Sequence, residues 1–169
     1  MSKVGPKLLS RLVSEYSSAL VLYARQLCRN PEDVVQEAFL QLMRQAELPN
    51  NVRAWLYRVV RNSAISAAHS AARRRRHESA AAHRGEPWFD SADQQRLDAS
   101  TATDALGQLP PEQRETIVAR VWGGLSYDEI AEVTRSSRTT VFRRYQAGLS
   151  TLRERFGVAC PHENNRTKS

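Results

Sequence analysis

The segment that most constrains the fold is 123–156, which reads GGLSYDEIAEVTRSSRTTVFRRYQAGLSTLRERF. Ser126 stands three residues before Glu129, which is the spacing of a capping box. In this motif the serine hydroxyl and the glutamate side chain each accept a hydrogen bond from the other residue's backbone amide. A helix is therefore expected to begin just after Ser126 and to end in the polar turn 134–136. Ser137 can cap a second helix in the same manner. The segment predicts two helices joined by a tight turn, the arrangement of a helix-turn-helix.

The second predicted helix has two distinct faces. Apolar side chains recur at steps of four, four and three residues, which places them on one core-facing stripe. They are Val141, Tyr145, Leu149 and Leu152. The N-terminal residues of such a helix enter the major groove of DNA. The candidate groove contacts, which fall outside the stripe, are Arg138, Thr139, Phe142, Arg143 and Gln146.

Charge is distributed in the way that DNA binding requires. The segment 134–157 carries a net charge of +5, whereas 104–133 carries −4. The basic charge thus lies on the proposed reading helix, where phosphates would be. The whole chain has a net charge of +7 and a pI near 10, which favours a polyanionic partner. Taken alone, the pattern also fits an ordinary helical hairpin with a solvated arginine face.

Several classes of protein are disfavoured by composition. Cys28 and Cys160 lie far apart without paired Cys/His spacing, so neither a disulfide framework nor a metal site is predicted. We find no apolar run of about 18 residues, which disfavours secretion and membrane spanning and predicts a cytoplasmic protein. No catalytic constellation or glycine-rich phosphate loop is recognisable, so we expect neither an enzyme nor a cofactor.

The sequence predicts an all-α fold of two small helical domains joined by a flexible linker. Three helices are expected in the first half, over 7–28, 32–46 and from 51 past 65, and the Ala- and Arg-rich stretch 67–82 either extends the third or frays. Trp88 and Phe89 lie in the linker and either dock on a domain or partner or pack locally. The predicted divisions are a first domain at 7–84, a linker at 85–100, a second domain at 101–157 and a disordered tail at 158–169.

The predicted second helix presents an apolar side chain on its polar side. A helical wheel places Leu40 opposite the core-facing half, beside Asp33, Gln36 and Glu37. An apolar side chain within a partly acidic patch suits a protein partner with a basic face. A single exposed leucine is also common on ordinary surfaces.

The predicted third helix carries a basic face with an aromatic ring. Its apolar side chains, Trp55 among them, are expected to face the core. Guanidinium groups can meet phosphates while a ring or an amide meets an unstacked base, so the other face suits single-stranded nucleic acid. That face comprises Arg53, Tyr57, Arg58 and Arg61, with Asn62 at its border. The following run 73–76 is either a nonspecific phosphate clamp or a solvated charge cluster.

Four motifs in this order resemble the extracytoplasmic-function (ECF) group of sigma-70-type bacterial sigma factors. The resemblance extends from about residue 8 to residue 156. The motifs are EDVVQEAF at 32–39, AWLYRVVRN at 54–62, LPPEQR at 109–114 and GLSYDEIA at 124–131.

The resemblance implies a division of labour between the two domains, in which core RNA polymerase and promoter DNA are the partners. An anti-sigma factor is a further candidate partner, and the polymerase itself does the chemistry. The residues implied in core-polymerase binding are Asp33, Gln36, Glu37 and Leu40. Those implied in recognising and melting the minus-ten element are Tyr57, Arg58, Arg61, Asn62, Arg73, Arg74, Arg75 and Arg76. Those implied in reading the minus-thirty-five element are Arg138, Thr139, Phe142, Arg143 and Gln146.

The sequence departs from the family pattern at three places. Ser66 stands where an aspartate is common, the loop 29–31 is short, and Arg138 and Thr139 replace small residues at the start of the reading helix. The promoter preference of relatives therefore does not transfer. Two other classes stay open: a conventional helix-turn-helix regulator, which gives no reason for the Leu40 patch, and a protein-binding adaptor, which leaves the basic helix unused.

Overall fold

The computed structural model describes residues 4–78 and 97–157, and for 97–101 it describes the backbone alone. All regular secondary structure in these two ranges is helical, which confirms the all-α prediction. No helix within them is both long and apolar enough to cross a membrane. The seven helices are α1 (Pro6–Arg25), α2 (Pro31–Met43), α3 (Val52–Glu78), α4 (Leu97–Gly107), α5 (Pro111–Val121), α6 (Tyr127–Thr134) and α7 (Arg138–Phe156).

Helix starts follow the local signals in the sequence, whereas two helix lengths differ from prediction. Prolines open α1, α2 and α5, where the missing amide costs nothing. α2 ends at Met43, three residues earlier than expected. α3 continues to Glu78, so the Ala- and Arg-rich stretch extends the helix, in agreement with the high helix propensity of both residue types. α4 begins at Leu97, inside the predicted linker. Trp88, Phe89 and the segment after 157 lie outside the described residues.

Both predicted caps of the helix-turn-helix are confirmed. The Ser126 hydroxyl accepts a hydrogen bond from the Glu129 amide at 3.1 Å, and the Glu129 carboxylate accepts from the Ser126 amide at 2.7 Å. The Ser137 hydroxyl accepts from the Thr140 amide at 3.1 Å. Between them, Arg135 ends α6 with φ at 53°, the left-handed conformation that reverses the chain in a short turn. Each cap contributes about 1 kcal/mol to helix stability.

A glycine allows α7 to pack closely on α5. A Cβ at Gly148 would lie 2.6 Å from the Cδ1 atom of Ile117, closer than real side-chain contacts occur. Ile117 belongs to a small core with Leu106 and Leu109, and the predicted stripe residues Tyr145 and Leu152 pack against it. The absence of a side chain at Gly148 therefore sets how near the reading helix lies to the rest of its domain.

The two halves of the chain share one hydrophobic core. Val118, Ile130 and Val133 from the second half belong to the same cluster of buried residues as Tyr23 and Leu56 from the first. α3 packs against α6, and α1 packs against α5. The structure is therefore a closed arrangement, in which the two predicted domains are in direct contact.

Candidate interaction surfaces

The acidic face of α2 is exposed as predicted. Asp33, Gln36 and Leu40 are exposed and Glu37 is half-buried, while the opposite side of the helix is fully packed. Leu40 retains 39% of its accessible surface, a large fraction for a leucine in a helix that buries six residues. Asp33, Gln36, Glu37 and Leu40 together form the Leu40 face.

The Leu40 face borders an apolar groove of about 290 Å³ between α1 and α2. Val13 of α1 and Met43 of α2 line this groove and are exposed, as Leu40 is. A helical wheel of α2 places Met43 on the core-facing half, but α2 ends there and its side chain is exposed and lines the groove. The contribution of α1 was missed, although Leu9, Val13 and Val21 recur at multiples of four residues, which places them on one side of that helix.

The predicted minus-ten residues on α3 separate into exposed and covered groups. Arg58, Asn62 and the run 73–76 are exposed. Tyr57 was expected on the open basic face, but it is only 1% exposed. The centroid of its ring lies 4.9 Å from the ring centroid of Tyr23. Arg61 is also largely covered, with 21% of its side chain exposed. Trp55, expected in the core, is half-buried.

Tyr57 is buried because the second half of the chain lies over it. A Cβ at Gly123, in the turn between α5 and α6, would come within 2.7 Å of the Tyr57 hydroxyl oxygen. Only glycine leaves room for the ring there. The hydroxyl is buried and has no hydrogen-bond partner among the described residues, and burial raises the pKa of Tyr57. A helical wheel of α3 alone cannot show this contact, because it comes from a segment far along the chain.

Arg61 is held by a carboxylate of the other half. Its Nε donates to Glu115 Oε1 at 2.7 Å, and the Tyr23 hydroxyl donates to the same oxygen at 2.6 Å. Burial first, and then the adjacent Glu115 charge, raise the pKa of Tyr23 well above its usual value. For Arg61, burial acts to lower the pKa, but the hydrogen bond and charge of Glu115 outweigh it and raise the pKa. Arg61 therefore stays cationic and remains hydrogen-bonded to Glu115 within the contact between the halves.

A second polar contact joins the beginnings of α3 and α6. The Glu129 carboxylate, which completes the capping box, also accepts from Asn51 Nδ2 at 2.5 Å and from Arg53 Nη2 at 3.3 Å. Burial acts to raise the pKa of Glu129, but the Ser126 amide, Asn51 and Arg53 outweigh it and lower the pKa to about 2. Asn51 in turn caps α3 by accepting from the Ala54 amide at 3.0 Å. One carboxylate thus stabilises a helix start and links the two halves.

The reading face of α7 is open even in the closed arrangement. All five predicted residues are exposed within two and a half turns. Arg138 Nε lies 3.6 Å from Asp128 Oδ1 in a solvent-exposed ion pair. Such a pair contributes little to stability. Arg144, from the same helix, instead donates to the Ser136 hydroxyl at 3.0 Å and steadies the turn. The face comprises Arg138, Thr139, Phe142, Arg143 and Gln146.

Within residues 4–78 and 97–157, no group of three His, Cys, Asp or Glu side chains is arranged to hold a metal ion. The buried Glu115 carboxylate pairs with the half-buried Arg61 across the contact between the halves.

The second half of the chain is a capped helix-turn-helix with an open basic face. The first half is a helical unit that carries a second basic helix and the acid-flanked Leu40 face. Together they define a two-domain helical DNA-binding protein. Its two halves match two family models in order: Sigma-70 region 2 over residues 12–76 and Sigma-70 region 4 over residues 101–152. The chain belongs to the ECF group of the sigma-70 family.

Individual relatives agree with this assignment. The ECF RNA polymerase sigma-E factor of Haemophilus influenzae is 29% identical over 157 residues, covering 81% of this chain and 83% of the relative. The sigma factor RpoE of Bartonella quintana, solved in complex with the anti-sigma factor NepR, superposes with a TM-score of 0.73 at 23% identity, covering 92% of this chain and all of the other. CnrH, solved with the cytosolic domain of CnrY, gives 0.61 at 22% identity, covering 92% of each chain. The last two likenesses concern the fold.

Proposed function

We propose that this sigma factor binds core RNA polymerase through the Leu40 face and the adjoining groove. The observation that carries the proposal is the exposure of Leu40 between Asp33 and Gln36, opposite a fully packed face of α2. An apolar anchor with an acidic surround is complementary to a partner helix that carries a few basic side chains. Bound there, the protein directs transcription initiation at selected promoters.

The two basic surfaces then divide the promoter between them. Arg58, Asn62 and the run 73–76 of α3 approach the minus-ten element, where an extruded base would be captured at an unstacking cost of a few kcal/mol. The exposed face of α7 reads the minus-thirty-five element in the major groove. Tyr57 and Arg61 join the minus-ten contacts after the halves separate. No protein group is needed for catalysis, because the polymerase supplies the chemistry.

Promoter binding requires the closed arrangement to open. The two elements lie about 25 base pairs apart, or roughly 85 Å at about 3.4 Å per base pair. A compact chain of this length has a radius of gyration of only about 15 Å. The α3 and α7 surfaces cannot reach both elements until the shared core and the contact between Arg61 and Glu115 are broken.

The solved relatives suggest a further partner. A sigma factor of similar fold was solved with an anti-sigma factor bound, and CnrH was solved with the cytosolic domain of CnrY. We propose that an anti-sigma factor also binds the present chain. Partnership with the polymerase implies a cytoplasmic location. A conventional helix-turn-helix regulator is not favoured, because matches to both sigma regions occur in order.

The polymerase contact can be tested with a matched pair of variants. Leu40→Glu places a charge in the proposed contact, and Phe156→Glu makes the same change at another exposed apolar residue, at the end of α7. We expect Leu40→Glu to weaken affinity for core polymerase at least about tenfold, as for an interface hot spot, and Phe156→Glu to leave it unchanged. Circular dichroism would check that both variants fold. Equal affinities for core polymerase would remove the Leu40 face from the interface.

A further inference from the structure

The reading face of α7 contains one large apolar side chain. Phe142 keeps 45% of its surface exposed, whereas its neighbours on that face are Arg138, Thr139, Arg143 and Gln146. The phenyl ring can make no hydrogen bond to a base edge. Its presence among hydrogen-bonding residues calls for an apolar group on the DNA.

Phe142 packs against a residue from outside its own helix. Tyr127, the first residue of α6, meets it edge to face, with ring centroids 5.5 Å apart and an interplanar angle of 87°. Such aromatic pairs contribute beyond the surface they bury. A ring fixed from a second helix has less freedom to move when DNA arrives, and pre-organisation of this kind improves binding.

Tyr127 is itself fixed from two sides. The Arg120 guanidinium lies 4.8 Å from the centre of its ring, and the same side chain donates to the Leu125 carbonyl at 2.8 Å. Tyr145 of α7 packs against Tyr127 with centroids 5.6 Å apart. Contacts from α5, α6 and α7 therefore determine where Phe142 stands on the reading face.

The major groove offers one apolar group at a base edge, the C5-methyl of thymine. We propose that Phe142 reads a thymine methyl in the minus-thirty-five element and that Tyr127 is the residue that positions it. This inference rests on the proposed function, which places α7 in the major groove. Arg138, Arg143 and Gln146 suit hydrogen-bonding base edges, so a methyl contact by Phe142 adds a preference for thymine that these three residues do not supply.

The test replaces thymine by uracil, which removes the methyl and nothing else. Holoenzyme assembled from the full chain and core polymerase is first used to select a bound promoter from genomic fragments. Each thymine of its upstream element is then replaced singly by deoxyuridine. At one position we expect the wild-type holoenzyme to lose about fourfold in affinity, the equivalent of one buried methyl group.

Variants assign that loss to the two aromatic residues. Phe142→Ala should bind the thymine and uracil templates equally, and Tyr127→Leu should reduce the thymine-to-uracil ratio, whereas Tyr127→Phe should keep it. Arg143→Ala serves as the control, since it should weaken both templates by the same factor. If Tyr127 only stabilised the fold, Tyr127→Leu would lower affinity for both templates without changing the thymine-to-uracil ratio.

Different outcomes would contradict this inference and the proposed sigma-factor function. Selective binding with no methyl-dependent position, or an unchanged ratio in Phe142→Ala, would overturn the inference alone. If no fragment is bound selectively by the holoenzyme, the proposed function fails and the inference fails with it. Loss of the ratio in Phe142→Ala, with retention in Arg143→Ala, is the result that supports it.

Discussion

At the scale of single residues, the side chains proposed to contact the minus-ten element differ in exposure. Arg58 and Asn62 are exposed on α3, whereas Arg61 is largely covered and donates to Glu115. Two arginines three positions apart on one helix thus have different tasks in the free protein. Arg58 can approach phosphate directly, and Arg61 helps to hold the halves together.

Asn62 is expected to act in promoter melting. Its exposed amide can hydrogen-bond the edge of an unstacked base, so Asn62→Ala should impair open-complex formation more than binding to duplex DNA. Permanganate reactivity of melted thymines measures the first, and a gel shift on duplex promoter measures the second. Arg58→Ala is the control, since loss of a phosphate contact should weaken both. Equal losses in the two assays for Asn62→Ala would contradict a role in base capture.

At the scale of helices, the Glu129 carboxylate both caps α6 and contacts the beginning of α3, which is far away in the sequence. Its capping role follows from the three-residue spacing to Ser126, whereas its contacts with Asn51 and Arg53 come from a distant part of the chain. These contacts together hold its pKa near 2. The stability of the start of α6 is therefore linked to pH.

Acid should weaken the fold through this group. Because the folded-state pKa of Glu129 lies below its ordinary value of 4.5, its stabilising effect is full above pH 4.5 and is lost as pH falls towards about 2. Glu129→Gln keeps an oxygen to accept from the Ser126 amide but removes the charge. We expect the variant to lose less stability than the wild type between pH 5 and pH 2, measured by thermal melts. Parallel curves for the two proteins would show that the ionised form contributes nothing.

Local elements could be predicted from the sequence, and contacts between distant elements could not. The caps at Ser126 and Ser137 depend on neighbours within three residues, so spacing alone located them. The exposure of Leu40 followed from a helical wheel because α2 packs with one side. Tyr57 was misplaced because its burial depends on Gly123, and the roles of Glu115 and Tyr127 were missed because they arise from packing between helices.

At the scale of the whole molecule, the closed arrangement combines one shared core with two polar contacts. Glu115 is only 7% exposed and sits against Arg61 and Tyr23. Removing one partner of a buried ion pair typically costs about 3–5 kcal/mol, because the other charge is left uncompensated. The contact is therefore a sensitive point for opening, the step that we propose precedes promoter binding.

Glu115→Ala should shift the protein towards an open form. The uncompensated Arg61 charge is relieved by exposure to water, so we expect a larger radius of gyration in small-angle X-ray scattering. Affinity for a single-stranded minus-ten oligonucleotide should rise several-fold as Arg61 becomes available. Glu154→Ala removes an exposed acid of α7 and controls for the change in net charge. If both variants match the wild type in size and oligonucleotide affinity, the contact does not govern opening.

Transcription in vitro tests most directly whether the chain acts as a sigma factor. Purified protein, core RNA polymerase and genomic DNA fragments would be mixed, and the transcripts mapped. We predict transcripts with defined start sites that appear only when both protein and core polymerase are present. Selective DNA binding by the protein alone, with no added start sites in the presence of polymerase, would contradict the account.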